Sequence, residues 1–365
     1  MDKLWIFCKI CNEVPDTNND FIFTNYNPLP LDSIEANNFP KKGIPGLSNF
    51  EGNCYLNSVL QCFYYCDNLT NYFINHKNEI IKKNGKLSNA YLNLVLRLKK
   101  EEIYNNAKNF LDALQEVSFY FFKKGGNDPK AVLLYLMENL HNELKEKTLC
   151  YNEEDICCEG TVQKDVFQKC KNNEQNNKSI ITELFNWCLI TSNVCIKCGN
   201  THYSCEYRNH ILIELKSYKT IEENVSLNEL IKFYFQDSNE YFVCTFKENN
   251  DKEVFKVTKT KKIISIPQYL IIILNRDIIQ YNVKYDDIID LSEYCVDEYN
   301  VQYSFMGASL TNDFGYKVGT HAISRCLTLK GSIILNDLNS KKNCDNIKGY
   351  NPYILFYQRC FDDKN

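Results

Sequence analysis

Residues 46–63 read GLSNFEGNCYLNSVLQCF, an irregular turn that leads into an apolar segment. From Leu56 onward the apolar positions fall at i, i+3, i+4 and i+7, which is the spacing of one helix face. Cys54 therefore lies at or just before the first helical turn, where backbone N–H groups and the helix dipole favour negative charge. A thiol in that position is biased towards thiolate, so the pattern predicts a cysteine nucleophile.

A histidine and an Asn-Asp pair near the other end of the chain are candidate partners for this thiol. The chain has 18 cysteines, and a free cysteine is usually a small buried apolar residue, so Cys54 alone is weak evidence. Among the five histidines, His321 lies in a strand-like run ahead of Asn336 and Asp337. Cysteine early, histidine late and then an amide or carboxylate is the order of papain-like sites. Out of this context the Asn-Asp pair indicates an ordinary turn.

These residues resemble the two signature boxes of the ubiquitin-specific protease family, which are papain-like cysteine deubiquitinases. The histidine box, G-x-x-x-x-G-H-Y-x-S, is matched at Gly315, His321 and Ser324. The closing strand, A-Y-x-L-F-Y-x-R, is matched by residues 352–359, and the matches keep the family's order from about residue 44 to 360. The cysteine box, G-L-x-N-x-G-N-T-C-Y-x-N-S-x-L-Q, is matched without a gap at Gly46, Leu47, Asn49, Cys54, Tyr55, Asn57, Ser58, Leu60 and Gln61.

The chain also departs from the family's pattern at several positions. Glu51-Gly52-Asn53 replaces the usual Gly-Asn-Thr before the nucleophile, and Ala131 replaces the glutamate of the D-A-x-E-F helix. Thr320 and Ala322 flank the histidine in place of glycine and tyrosine. None of these changes removes a group that performs chemistry, although an anion at Glu51 would raise the pKa of the nearby thiol.

The resemblance implies an α+β architecture, a papain-like cysteine protease fold with a helical thumb, β fingers and an antiparallel β palm. In this reading residues 1–45 are a polar lead-in and residues 46–363 are the catalytic domain. The thumb then covers about 46–188, the fingers about 189–262 and the palm about 263–363. The residue patterns agree with that order, because helical periodicity comes first and strand-like segments follow.

Local signals predict where several elements begin. Ser88 can cap a helix, and Asp128 as N-cap with Pro129 at the first helical position opens another. Alternation and β-branched or aromatic content predict strands at Asn209–Leu215, Tyr241–Phe246, Tyr269–Leu274, Val301–Phe305, His321–Leu327, Ser332–Leu335 and Tyr353–Tyr357.

The resemblance also implies a role for each polar residue of the site. His321 would act as base and later as acid, since imidazole titrates near neutrality. Asn336 would orient the imidazole through its side-chain carbonyl, with Asp337 as a supporting group or as the alternative orienter. Asn49 would supply an oxyanion donor together with backbone N–H groups around Cys54. Taken alone, Asn49 is typical of a turn.

A zinc site is only partly supported. Cys195-Ile196-Lys197-Cys198 has knuckle spacing, and the family pairs such a knuckle with a second C-x-x-C. Here the second segment offers Cys244 but has lysine at the fourth ligand's position, whereas structural zinc normally takes four ligands. Cys205 or His202 are possible substitutes; the alternative is a finger tip that packs without metal. The sequence requires no other cofactor.

The predicted partners are ubiquitin and ubiquitinated proteins, with cleavage at the C-terminal glycine of ubiquitin. Two alternatives stay open: an inactive ubiquitin-binding adaptor, and a protease for another ubiquitin-like modifier. A net charge of −4 and scattered basic residues argue against nucleic-acid binding, and the basic run at 259–262 indicates a solvated strand edge. No secretory signal or membrane-length apolar run is visible, so cysteine abundance indicates the cytosol or nucleus.

Overall fold

The computed structural model describes residues 46–50, 52–100, 107–118, 121, 127–145, 165–168, 178–218, 224–243, 254–276, 282–296, 300–312, 320–328, 331–342 and 349–360. All of them belong to one unit of the chain, residues 39–365. The predicted lead-in at 1–45 lies outside these ranges, as do Glu51, Cys244 and Gly315.

The first half of the described chain is helical. The predicted helix after the opening turn begins at Cys54, and its apolar face, Leu56, Val59, Leu60 and Phe63, is completely buried. No described helix has the length and apolar character that crossing a membrane requires. The helices are α1 (Cys54–Tyr64), α2 (Asp67–Asn75), α3 (Lys77–Lys83), α4 (Lys86–Lys99), α5 (Lys108–Val117), α6 (Pro129–Leu144), α7 (Ile180–Phe185) and, later in the chain, α8 (Leu227–Phe235).

The two predicted helix starts have different outcomes. Helix α6 begins as predicted, with Pro129 at its first position and the Asp128 side chain accepting from the backbone N–H of Lys130 at 2.8 Å. Helix α4 begins earlier than predicted, so Ser88 lies inside the helix and is not its cap. Instead the carboxylate of Glu143, from α6, accepts from the backbone N–H of Ser88 at 2.7 Å. A partner from another helix satisfies this end, and local sequence cannot reveal it.

The strands among the described residues form two main sheets. One has four strands in the order β2-β1-β6-β5, and all its pairs are antiparallel. The other follows the order β13-β12-β11-β10-β14-β7-β3, with β9 also pairing with β10; only β3 and β7 run parallel within it. A small parallel pair joins β4 and β8. The strands are β1 (Trp187–Cys195), β2 (Thr201–Arg208), β3 (Ile211–Glu214), β4 (Asn224–Ser226), β5 (Ser238–Val243), β6 (Val254–Ser265), β7 (Tyr269–Asn275), β8 (Asn282–Lys284), β9 (Ile288–Asp290), β10 (Gln302–Thr311), β11 (Ala322–Thr328), β12 (Gly331–Asn336), β13 (Asn339–Lys342) and β14 (Asn351–Arg359).

The larger sheet is covered on both faces, which explains the continuous apolar run of β7. Ile271 and Ile273 pack into the core shared with the helices of the first half. Ile272 and Leu274 point the other way, into a second core that includes Leu230 of α8. A strand buried on both faces loses the alternation of apolar and polar residues. Helices first and strands later confirm the predicted α+β class.

The basic run at 259–262 lies on β6 where the pairing of β6 with β5 ends. Strand β6 lies between β1 and β5, and three of its lysines have specific partners. The Nζ of Lys259 pairs with Glu240 at 3.1 Å, and Lys261 donates to the backbone carbonyl of Tyr234 at 2.9 Å. Lys262 donates to a backbone carbonyl on the 3₁₀ turn after β9 at 2.6 Å. Residues 260–262 pair with β1 alone, so this part of β6 is a strand edge, as predicted, and its lysines are held by specific partners.

Candidate active site

The first residue of α1 meets the start of β11. Cys54 is 4% exposed, and its Sγ lies 3.9 Å from the carbonyl oxygen of Thr320, the residue that precedes His321. The same sulfur is 3.9 Å from the carbonyl oxygen of Gly52. The His321 side chain hydrogen-bonds to the Cys54 thiol. Two residues predicted to act together, and separated by most of the chain, are therefore neighbours.

The imidazole of His321 is held on its other side by Asn336, the last residue of β12. His321 Nε2 lies 2.7 Å from Asn336 Oδ1, which leaves Nδ1 to face the sulfur. Asp337 Oδ2 lies 3.9 Å from the same Nε2, beyond hydrogen-bond distance. The backbone around the ring is fixed too, because the His321 N–H donates to Asn312 Oδ1 at 2.8 Å. Of the two adjacent candidates, Asn336 is the one that contacts the ring.

The site favours a charged imidazole. The hydrogen bond with Cys54 raises the pKa of His321 to about 9, burial opposes the shift, and the Asn336 hydrogen bond and the charges of Cys54 and Asp337 add to it. A histidine that keeps its proton beside a thiol stabilises the thiolate form of that thiol. In contrast, burial raises the pKa of Cys62 and Cys66 further along the same segment, so those thiols stay neutral.

Asp337 joins the hairpin of β12 and β13 to the start of α1. Its carboxylate accepts from Asn49 Nδ2 and from Asn57 Nδ2, each at 2.9 Å, and its backbone carbonyl accepts from the Leu47 N–H at 3.1 Å. Its φ of 53° lies in the left-handed region, which suits a tight turn. A Cβ on Gly46 would lie 2.5 Å from the same carbonyl oxygen, so only glycine allows this approach.

Asn49 lies in the exposed loop before the nucleophile. Its side-chain carbonyl accepts from the Gly52 N–H at 3.2 Å, while its amide nitrogen donates to Asp337. These two bonds fix the side chain between the hairpin and the loop that leads to Cys54. The predicted oxyanion role would use the same amide nitrogen that now contacts Asp337.

Two further residues belong to the site although the sequence predicts no role for them. Asn57 matches the cysteine box, so its register was a usable signal, and it lies one turn along α1 from Cys54. Tyr350 lies before β14, and its ring centroid is 6.3 Å from that of His321 at an interplanar angle of 74°. Burial raises the pKa of Tyr350, as do Cys54 and Asp337. No sequence pattern pointed to Tyr350.

Of the three predicted zinc ligands the structure describes Cys195 and Cys198, so the zinc site stays a prediction. Cys195 is buried at the end of β1 and Cys198 is exposed in the following turn, while Cys244 lies outside the described residues. The substitute Cys205 pairs with Ile190, five positions along β1 from Cys195, so it is remote from the knuckle. No group of three or more His, Cys, Asp or Glu side chains suited to a metal occurs in this described part.

Comparison with known proteins decides the family. The family described as "Ubiquitin carboxyl-terminal hydrolase" matches residues 45–357, most of the chain. The chain belongs to the ubiquitin carboxyl-terminal hydrolase family. This confirms the resemblance to the ubiquitin-specific proteases that the two boxes indicated.

Similar hydrolases occur in plants and fungi. Ubiquitin carboxyl-terminal hydrolase 25 of Arabidopsis thaliana is 25% identical over 69% of this chain and 36% of its own length. Probable ubiquitin carboxyl-terminal hydrolase 4 of Schizosaccharomyces pombe is 26% identical over 68% of this chain and 44% of its own length. The chain therefore spans less than half the length of these relatives.

A solved structure of this hydrolase family shares the fold. The SAGA DUB module containing Ubp8, bound to monoubiquitin, superposes with a TM-score of 0.66, 16% identity, and coverage of 88% of this chain and 70% of that chain. The predicted papain-like fold, with helical thumb, β fingers and a largely antiparallel palm, is confirmed by this likeness. The division at about residues 188 and 262 stays a prediction.

Proposed function

We propose that the chain is a thiol-dependent deubiquitinating enzyme that hydrolyses isopeptide or peptide bonds at the C-terminal glycine of ubiquitin. The observation that carries this proposal is the position of His321, which hydrogen-bonds to Cys54 on one side and to Asn336 at 2.7 Å on the other. A nucleophile, a base and an orienting group in contact are what covalent catalysis by cysteine needs. Membership of the ubiquitin carboxyl-terminal hydrolase family supplies the substrate class.

In the proposed reaction Cys54 is the nucleophile. Its thiolate attacks the carbonyl carbon of the terminal glycine, and the C–N bond breaks as His321 gives its proton to the leaving amine. The neutral His321 then takes a proton from water, and the hydroxide adds to the thioester carbonyl. The C–S bond breaks, which releases the ubiquitin carboxylate and restores the thiolate–imidazolium pair.

The polar residues around Cys54 and His321 would orient the imidazole and stabilise the charges that form during the reaction. Asn336 would keep the imidazole in the orientation that presents Nδ1 to the sulfur, and Asp337 would hold the hairpin and add negative charge nearby. The oxyanion would be bound by backbone N–H groups at the start of α1 and by Asn49. Losing one such donor typically costs about 10²–10³ in rate.

This route needs no cofactor, because thiolate and imidazole together supply the nucleophile and the transferred proton. Structural zinc on Cys195, Cys198 and Cys244 would serve the finger tip only, and it would need a fourth ligand. We also propose that the enzyme works in the cytosol or nucleus, where reducing conditions keep its many cysteines as thiols.

The partner is proposed to be ubiquitin together with the proteins that carry it. The solved SAGA DUB module contains monoubiquitin, which supports a ubiquitin-binding surface on a fold of this kind. The chain's acidic balance, a net charge of −4, suits a protein partner better than a nucleic acid.

The deciding experiment measures cleavage of a ubiquitin–fluorophore conjugate and labelling by an electrophilic ubiquitin probe. Wild type should do both, and Cys54→Ser should do neither. Cys360→Ser is the matched control, since Cys360 is partly exposed and follows β14 of the larger sheet, and it should behave as wild type.

The same experiment separates the alternatives. Labelling of Cys54→Ser at the wild-type rate would remove Cys54 as the nucleophile. Tight ubiquitin binding by wild type without turnover would indicate an adaptor instead of an enzyme. Faster labelling by a probe built on another ubiquitin-like modifier, in direct competition, would change the assigned substrate and keep the chemistry.

A further inference from the structure

Two cysteines on the four-stranded sheet lie unusually close together. The Sγ atoms of Cys188 on β1 and Cys205 on β2 are 2.9 Å apart. A disulfide bond is about 2.05 Å long, so the sulfurs need to approach by less than about 1 Å to bond. Neither residue belongs to the active site described above, nor to the Cys195–Cys198 knuckle at the far end of the same hairpin.

The strand register places both cysteines on the same face of the sheet. In the β1–β2 ladder Cys188 pairs with Tyr207 and Ile190 pairs with Cys205, so the two cysteines are diagonal neighbours. Side chains two positions apart on a strand point to the same face, so both thiols lie on one face of the sheet. Diagonal neighbours usually meet only through long side chains, so the 2.9 Å separation of these two short side chains is notably close. The fold therefore already brings both thiols to one spot.

The two thiols differ in their surroundings. Cys188 is completely buried in a small apolar cluster with Phe167, Ile190 and Ile264. Cys205 packs against the edge of that cluster and is partly exposed. An outer thiol that solvent can reach, backed by an inner thiol that it cannot, is the arrangement in which one cysteine reacts first and the other displaces the adduct.

We propose that Cys188 and Cys205 form a reversible cross-strand disulfide, a modification site of the four-stranded sheet. The oxidant is a low-molecular-weight disulfide, RSSR. The Cys205 thiolate attacks one sulfur of RSSR, forming a mixed disulfide and releasing RS⁻. The Cys188 thiolate then attacks the Cys205 sulfur, the protein disulfide forms, and the second RS⁻ leaves. The two protein thiols lose two electrons and two protons, and RSSR gains them as two RSH molecules.

The bond would tie β1 to β2 near the base of the hairpin. It closes a loop over residues 189–204, and such a cross-link stabilises a fold chiefly by restricting the unfolded chain. In a reducing compartment the bond would form only when the thiol pool becomes oxidised, as redox-sensing cysteines do. The proposal does not depend on the protease activity.

The test equilibrates the full chain with graded ratios of glutathione disulfide to glutathione, blocks remaining thiols with iodoacetamide, and digests with trypsin. Lys178, Lys197 and Arg208 bound two tryptic peptides, 179–197 and 198–208. We expect these peptides to appear covalently linked, at the sum of their masses less two hydrogens. Because they also contain Cys195 and Cys198, the deciding variant is Cys195→Ser/Cys198→Ser, in which the link should persist.

Cys205→Ser is the variant that removes one of the two bonding sulfurs. The Cys205 side chain is partly exposed, so a hydroxyl is tolerated there. It should show no link, and its melting temperature should not change on oxidation. The Cys195→Ser/Cys198→Ser protein should melt several degrees higher when oxidised than when reduced. The proposal is overturned if Cys205 carries only a glutathione adduct while Cys188 is alkylated on unfolding, or if the link disappears in Cys195→Ser/Cys198→Ser.

Discussion

Asn57 on the nucleophile helix donates a 2.9 Å hydrogen bond to the carboxylate of Asp337, 280 positions away along the chain. The same amide nitrogen lies 3.1 Å from the carbonyl oxygen of Ser48, and the side-chain oxygen accepts from Asn53 Nδ2 at 3.3 Å. Asn57 thus connects α1, the loop before it and the hairpin that carries Asn336. The imidazole of His321 is held by Asn336 of this hairpin, so the connection helps to set the distance between the imidazole and the sulfur of Cys54.

Replacing Asn57 by Asp should introduce a pH-dependent defect. Two carboxylates would then share the site, and like charges raise the pKa of one of them. Misplacing reacting groups by about 1 Å can cost roughly a hundredfold in rate. We expect kcat/KM to fall about tenfold or more at neutral pH. On the free-energy scale a tenfold loss is about half of a hundredfold one. The deficit should shrink as the pH is lowered from neutrality and one of the two carboxyls becomes protonated.

The control for that pH effect is Asn57→Ala, which removes the donor without adding a charge. Its activity should also fall, but its ratio to wild type should stay constant across the same pH range. Equal pH profiles for the two variants would show that the Asp337 carboxylate does not face position 57 in the working enzyme.

Asn336→Ala should shift the alkaline limit of activity to lower pH. His321 must hold a proton to protonate the leaving amine, and its pKa of about 9 keeps it charged through neutral pH. The Asn336 hydrogen bond raises that pKa, so its removal lowers it. The measurement is kcat/KM for a ubiquitin–fluorophore conjugate against pH. Wild type should decline as the pH rises through about 9, and the variant should decline earlier. An unchanged alkaline limb would contradict the role given to Asn336.

Gly46→Ala should damage activity more than stability. The added Cβ would lie 2.5 Å from the Asp337 carbonyl oxygen, so the loop and the hairpin must separate. That movement displaces Asn336, and a loss of about tenfold or more in kcat/KM is expected. Gly199→Ala is the control, because nothing lies within 4 Å of its added Cβ. Its loss of stability comes only from the backbone strain at a φ of +74°. That strain costs about 1–2 kcal/mol. Comparable activity in both variants would refute the steric argument.

Asp128→Ala should destabilise the protein through loss of the α6 cap. The Asp128 side chain accepts from the Lys130 N–H at 2.8 Å, and replacing such a cap by alanine costs about 0.5–2 kcal/mol. Asp128→Asn should cost much less, because asparagine caps as well as aspartate, and burial already raises the pKa of this carboxyl. Urea unfolding of the three proteins measures the difference. Equal losses for both variants would show that the charge matters and the cap does not.

Sequence predictions that depend on neighbouring residues were correct more often than those that depend on distant contacts. The start of α1 at Cys54 and the cap at Asp128 were predicted correctly, because spacing and capping depend on neighbouring residues. Ser88 was assigned wrongly because Glu143, far along the chain, takes the capping role. Strand β10 continues to Thr311, beyond the predicted end at Phe305, since its pairing with β11 and β14 extends it.

Sequence alone determined the order of helices and strands and the identity of the candidate nucleophile, histidine and amide. These follow from periodicity, from motif spacing and from the family's two boxes, all of which are written along the chain. Only the tertiary structure decided that Asn336 contacts the imidazole while Asp337 binds Asn49 and Asn57, and that Tyr350 lies beside His321. Adjacent residues in a turn point in different directions, and which one meets a distant side chain depends on how the hairpin packs against α1.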